Sequence, residues 1–149
     1  GPGRTRLWDP IVRDVGRMAF SDRLEDAYRF RTPSLRNVAL TGPYGHNGAY
    51  ATLEGIVRHH LQPEQQFAAW TPERLVLPDV PWLAHTDFLP LDDRMERSRL
   101  ASQLDIEPKQ LSDQEVEQLL AFLHTLTGTE SVQGRLGRPE RVPSGLKVD

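Results

Sequence analysis

A mainly α fold interrupted by much irregular chain is what this sequence predicts, and three observations carry that prediction. Two stretches, from Thr52 onward and from Ser112 onward, pair a helix-capping residue with apolar residues at helical spacing. No stretch alternates apolar and polar residues convincingly in the manner of a half-buried strand. Glycine and proline fill 11 and 12 of the 149 positions, enough to break the chain repeatedly between helices.

Residues 1–30 mix arginine, acids and scattered apolar residues with no sustained period, which predicts irregular chain with one short helical turn near Asp22 to Ala27. Residues 31–48, RTPSLRNVALTGPYGHNG, are punctuated by Pro33, Gly42, Pro43, Gly45 and Gly48, so they form a loop that no helix or long strand crosses. Thr52 then caps a helix over Leu53 to Leu61, with Glu54 in the first turn, where the helix dipole favours an acid, and Pro63 beyond its end. Gln62 to Leu91 holds five prolines and two tryptophans, predicting a long irregular excursion anchored by Trp70 and Trp82. A helix with a charged face is expected over Asp92 to Leu104. The strongest helix signal follows it. Ser112 and Glu115 have capping-box spacing, and Val116, Leu119, Leu120 and Leu123 recur at i, i+3, i+4 and i+7, predicting a helix to Thr127 that stops at Gly128. Residues 129–149 are polar and aperiodic, which predicts an extended tail and leaves residues 1–128 as one domain.

Composition narrows the function classes. At 38% hydrophobic and 7% aromatic residues the apolar material for a core is thin, so a cofactor, a partner surface or further chain is expected to complete it. The net charge of −3 hides an asymmetry: residues 1–37 carry eight arginines against five acids, and residues 38–127 six bases against thirteen acids. An acidic middle argues against a nucleic-acid surface. No apolar run reaches the length of a membrane span, and no charged-then-apolar leader opens the sequence. With no cysteine, the 149 residues hold neither a disulfide nor a C-x-x-C-H haem attachment site.

Five histidines remain as candidates for chemistry: His46, His59, His60, His85 and His124. They fit no nucleophilic triad and no zinc spacing. His60 stands apart because it continues the stripe Leu53, Ile56, Val57 at i+7, while His59 turns to the polar flank. The stripe therefore points His60 at the core, either as a buried neutral imidazole bonded to a carbonyl or as a metal ligand. Thr41, Gly42 and Pro43 form a turn whose carbonyls are either those of a plain turn or oxygen ligands for a hard cation.

The run from Phe30 to His60, FRTPSLRNVALTGPYGHNGAYATLEGIVRHH, resembles the haem-domain signature of the bacterial di-haem cytochrome c peroxidases and their MauG-like relatives. VGR at Val15 to Arg17, LSDQEVEQLLAFLHTLTG at Leu111 to Gly128 and VPSGL near the end are similar to the same family, so the resemblance covers most of the chain. It implies a cytochrome c-like domain corresponding to the C-terminal haem domain, after its C-x-x-C-H segment. Haem c would be the cofactor, with attachment cysteines outside this sequence, and His60 would stand where the family has its distal axial ligand, usually methionine or tyrosine. Thr41 and Pro43 would offer backbone carbonyls to a calcium ion between two haem domains, and Arg36 would face a haem propionate. An N-terminal haem domain or chain would be a partner, beside an electron-donor cytochrome or a protein substrate, in the periplasm. Peroxide turnover would need that absent domain, so none is expected of this chain alone. Two further readings stand beside this one: a haem-free structural or binding module of the same fold, and one half of a two-chain electron-transfer cytochrome.

Overall fold

The computed structural model describes residues 13–75, 80–82, 88–132 and 143–145. Among them the fold is mainly α and contains no strand, only two isolated bridges, Gly16 with Arg29 and Tyr44 with Tyr50. His85, Val142 and Leu146 of VPSGL, and most of the expected tail lie outside the described residues.

Among the described residues seven helical segments follow one another: α1 (Met18–Ser21), α2 (Leu53–Leu61), α3 (Pro63–Ala68), α4 (Leu89–Asp92), α5 (Arg94–Ser102), α6 (Asp113–Thr125) and α7 (Thr129–Val132). Short 3₁₀ turns occur at Leu24–Asp26, Val38–Leu40, His46–Gly48 and Pro72–Arg74. The helix expected from Thr52 has the expected bounds, and the Thr52 hydroxyl accepts the Gly55 N–H at 3.1 Å. At α6 the capping box is complete: Ser112 Oγ accepts from Glu115 N–H at 3.3 Å and Glu115 Oε2 accepts from Ser112 N–H at 2.8 Å.

Gln62 to Leu91 is less irregular than its prolines suggested. Pro63 ends α2 and also opens α3, because a proline at the first helical position loses no intrahelical bond and presets the backbone dihedral. Pro72 and Pro90 sit in the first turns of their short helices in the same way. Trp70 is half-buried, but Trp82 lies in a turn with 74% of its surface exposed, so it is no anchor among the described residues. The charged helix is shorter than expected: Asp93 Oδ1 accepts from Met95 N–H at 2.9 Å, which caps α5 one residue inside the expected start. The expected tail opens with the single helical turn of α7.

The chain divides into two compact units, one formed by Gly1–Pro33 and Arg58–Lys109, the other by Ser34–Val57 and Gln110–Asp149. In the first, Glu96 is 2% exposed and lies within a polar cluster. Its carboxylate accepts from Arg13 Nε at 2.8 Å, from the Tyr28 hydroxyl at 2.6 Å and from Arg99 at 3.1 Å, while Arg13 also reaches Asp93 at 3.1 Å. Burial pushes the Tyr28 phenol up to about 12, and its hydrogen bond to Glu96 and that carboxylate's charge push the same way. In the second unit the buried residues among those described are apolar or aromatic: Tyr50, Val57, Val116 and Leu123. Phe20 and Leu24 are left 93% and 85% exposed, as the thin core expected from composition would leave them.

Candidate functional site

The loop 31–48 is built in two hydrogen-bonded halves. In the first, Leu40 N–H donates to Asn37 O at 2.9 Å and Thr41 N–H to Val38 O at 3.2 Å, closing the turn Val38–Leu40. In the second, Tyr44 and Tyr50 exchange both backbone bonds, Tyr44 N–H to Tyr50 O at 2.7 Å and Tyr50 N–H to Tyr44 O at 3.0 Å. That pairing forces a tight return between them. Gly48 takes φ 71°, and a Cβ there would lie 2.9 Å from Pro43 Cγ, so only glycine fits. The buried Tyr50 ring then seats the loop's exit, and two residues later Thr52 opens α2.

Thr41 and Pro43 are both exposed, and neither carbonyl accepts a hydrogen bond from a described residue. Two free carbonyls one residue apart suit a hard cation, though they are too few for a complete shell. Among the described residues no group of three or more histidines or carboxylates could hold a metal ion, so further ligands would have to come from elsewhere. Arg36 is exposed and its guanidinium donates to Ser131 Oγ at 3.2 Å, a neutral partner that an anion could displace.

His60 departs from expectation in one respect. It lies on the stripe of Leu53, Ile56 and Val57, but it is exposed, while Val57 is buried and His59 half-buried. The helical period fixes which residues share a face and says nothing about where the cover over that face ends. Here the cover ends before the last turn of α2. Burial lowers the His59 pKa, and the neighbouring His60 charge lowers it further. The two imidazoles meet edge to face, with ring centres 5.7 Å apart.

These residues fit a haem in part. An exposed imidazole ending an apolar stripe is a suitable axial ligand, and a solvent-facing guanidinium suits a propionate, whereas covalent attachment has no cysteine here. Sequence reasoning missed two features. Asn37 binds the C-terminal end of α6, and Glu96 is enclosed by Arg13, Tyr28 and Arg99. The signal for Asn37 was present, since an asparagine between Arg36 and an apolar run is a common left-handed turn residue.

The described residues are mainly helical and contain no strand, in keeping with a cytochrome c-like, mainly α fold. The methylamine utilization protein MauG of Paracoccus denitrificans is 34% identical over 102 residues, covering 66% of this chain and 23% of that protein. The cytochrome c peroxidase Ccp of Escherichia coli is 49% identical over 49 residues, 33% of this chain and 10% of that protein. The cytochrome-c peroxidase IdrP2 of a Pseudomonas species is 28% identical over 130 residues, 87% of this chain and 26% of that protein. No family model matches, and no solved structure gives a significant match. These likenesses support a MauG-like and cytochrome c peroxidase-like family for the chain. It spans about a quarter or less of the length of these relatives.

Proposed function

We propose that the chain is the haem-covering portion of a periplasmic di-haem cytochrome c peroxidase or MauG-like oxidase, which reduces peroxide or oxidises a partner protein. In this reading residues 1–128 belong to its C-terminal cytochrome c-like domain and 129–149 to a tail. The proposal rests above all on His60, an exposed imidazole at the end of the apolar face of α2. The sequence likeness to MauG and to cytochrome c peroxidases supports it. A bound haem would supply the redox-active iron that accepts, stores and passes electrons.

The chain's own residues would do four things. His60 would hold the haem iron, and the half-buried His59 would pack beside it. Arg36 would exchange Ser131 for a propionate. The carbonyls of Thr41 and Pro43 would enter the shell of a calcium ion completed by waters and by a group from another domain. The apolar face of α2 would exclude water from the haem edge. No helix among the described residues is long and apolar enough to cross a membrane.

The absence of cysteine favours a second reading, a haem-free module of the same fold. Absorbance of the complete protein, purified from cells competent in haem attachment, separates the two. A Soret band is expected. A folded but colourless complete protein would contradict the haem reading and favour the module.

A further inference from the structure

We infer that Asn37 is a positioning residue that clamps the loop carrying Arg36 and Thr41 to the C-terminal end of α6, an inference that rests on the proposed role of that loop. Helix C-termini leave carbonyls without intrahelical partners, and Asn37 bonds backbone groups of two residues just past the end of α6. Its own N–H donates to the Leu126 carbonyl at 3.0 Å, and its side-chain Oδ1 accepts from the Gly128 N–H at 2.8 Å. The two bonds join positions about ninety residues apart in sequence, within one compact unit.

The backbone explains why asparagine occupies this position. Asn37 has φ 58° and ψ 22°, the left-handed region, which asparagine tolerates better than most residues with a side chain. Glycine would keep that conformation without the acceptor. Alanine would lose both. Aspartate would keep an acceptor but set a negative charge beside the negative end of the α6 dipole.

The clamp governs both sides of the loop. One residue earlier, Arg36 donates to Ser131 in α7, the helical turn that follows α6. On the other side, Asn37 O accepts from Leu40 N–H at 2.9 Å, and the same turn ends at Thr41, whose carbonyl is a candidate cation ligand. Releasing Asn37 therefore frees the start of the turn that orients Thr41, with α6 left intact by its capping box.

The test compares Asn37→Gly, Asn37→Ala and Asn37→Asp in the complete protein by two measurements. Amide exchange at Gly128 and Thr41 reports the clamp directly. Exchange at both should accelerate about tenfold in the glycine and alanine variants and less in aspartate, the scale of one lost hydrogen bond. Calcium titration reports the loop, and the glycine variant should bind calcium several-fold more weakly although its melting temperature stays close to wild type. Unchanged exchange at Gly128 and Thr41 in Asn37→Gly overturns the clamp. Faster exchange with unchanged calcium affinity overturns the positioning role. If the wild type binds no calcium, the calcium reading of the loop fails, while amide exchange still decides whether Asn37 clamps it.

Discussion

The two compact units bury different kinds of residue. In the first, the buried described residues are Arg13, Val15, Asp26, Pro63 and Glu96, three of them charged; in the second they are Tyr50, Val57, Val116 and Leu123, none of them charged. The first unit is therefore held in register by directional contacts, the second by close packing around α6. Glu96 meets three donors, so its charge is well compensated. Asp26 is not so well served. Arg17 Nε lies 3.2 Å from its Oδ2, yet that oxygen receives no hydrogen bond among the described residues, so the contact is an ion pair only. The contrast teaches that substitutions in the two units should fail for different reasons, with different dependence on pH.

The largest effect is expected at the centre of the ionic cluster. Glu96→Ala would leave Arg13 buried without its main partner and remove the acceptor of Tyr28 and Arg99, destabilising the protein by about 3–5 kcal/mol. Denaturant unfolding of the complete protein measures it, and a loss below about 1 kcal/mol would mean that the cluster is solvated rather than buried. In the other unit, Leu123→Ala opens a cavity beneath α6 and should destabilise by about 3 kcal/mol, insensitive to pH. A pronounced pH dependence of that loss would break the distinction between the units.

Smaller effects follow from titration. The Tyr28 phenol titrates at about 12 in the folded chain, above its ordinary value near 10, so folding favours its neutral form. The stabilisation is complete below pH 10 and is lost as the pH rises toward 12, because the unfolded chain then releases the proton first. Tyr28→Phe should remove this alkaline loss at a cost of about 1 kcal/mol for the missing hydrogen bond. The acid branch belongs to both units. Burial would raise the Asp93 carboxyl, but hydrogen bonds from the N–H groups of Met95 and Glu96 and from Arg13 outweigh it and hold it below the usual range. In the second unit, the Ser112 N–H and hydroxyl hold Glu115 below its ordinary value. Each depressed carboxyl stabilises the fold above its unfolded pKa, and that stability is lost as the pH falls through the folded value. Unit-by-unit amide exchange against pH should show an acid loss in both units and an alkaline loss assignable to Tyr28 in the first alone.

What the sequence made legible was local. The bounds of α2 and the capping box of α6 could be read because caps, first-turn acids and apolar spacing act within a few residues. Pro63 misled because the same ring that stops one helix can start the next. The cluster around Glu96 and the Asn37 clamp were not legible, since their partners lie tens of residues away and nothing in residue type announces the pairing. His60 was legible in part: its face followed from the helical period, but its exposure depends on where packing stops.

The account depends most directly on His60 as the iron ligand. The deciding measurement sets His60→Ala beside His59→Ala in the complete, haem-loaded protein and records absorption and electron paramagnetic resonance spectra of both. The account predicts that loss of His60 turns the C-terminal haem from low-spin and six-coordinate to high-spin, and that loss of the half-buried His59 leaves it low-spin. A high-spin His59 variant beside a low-spin His60 variant would contradict it.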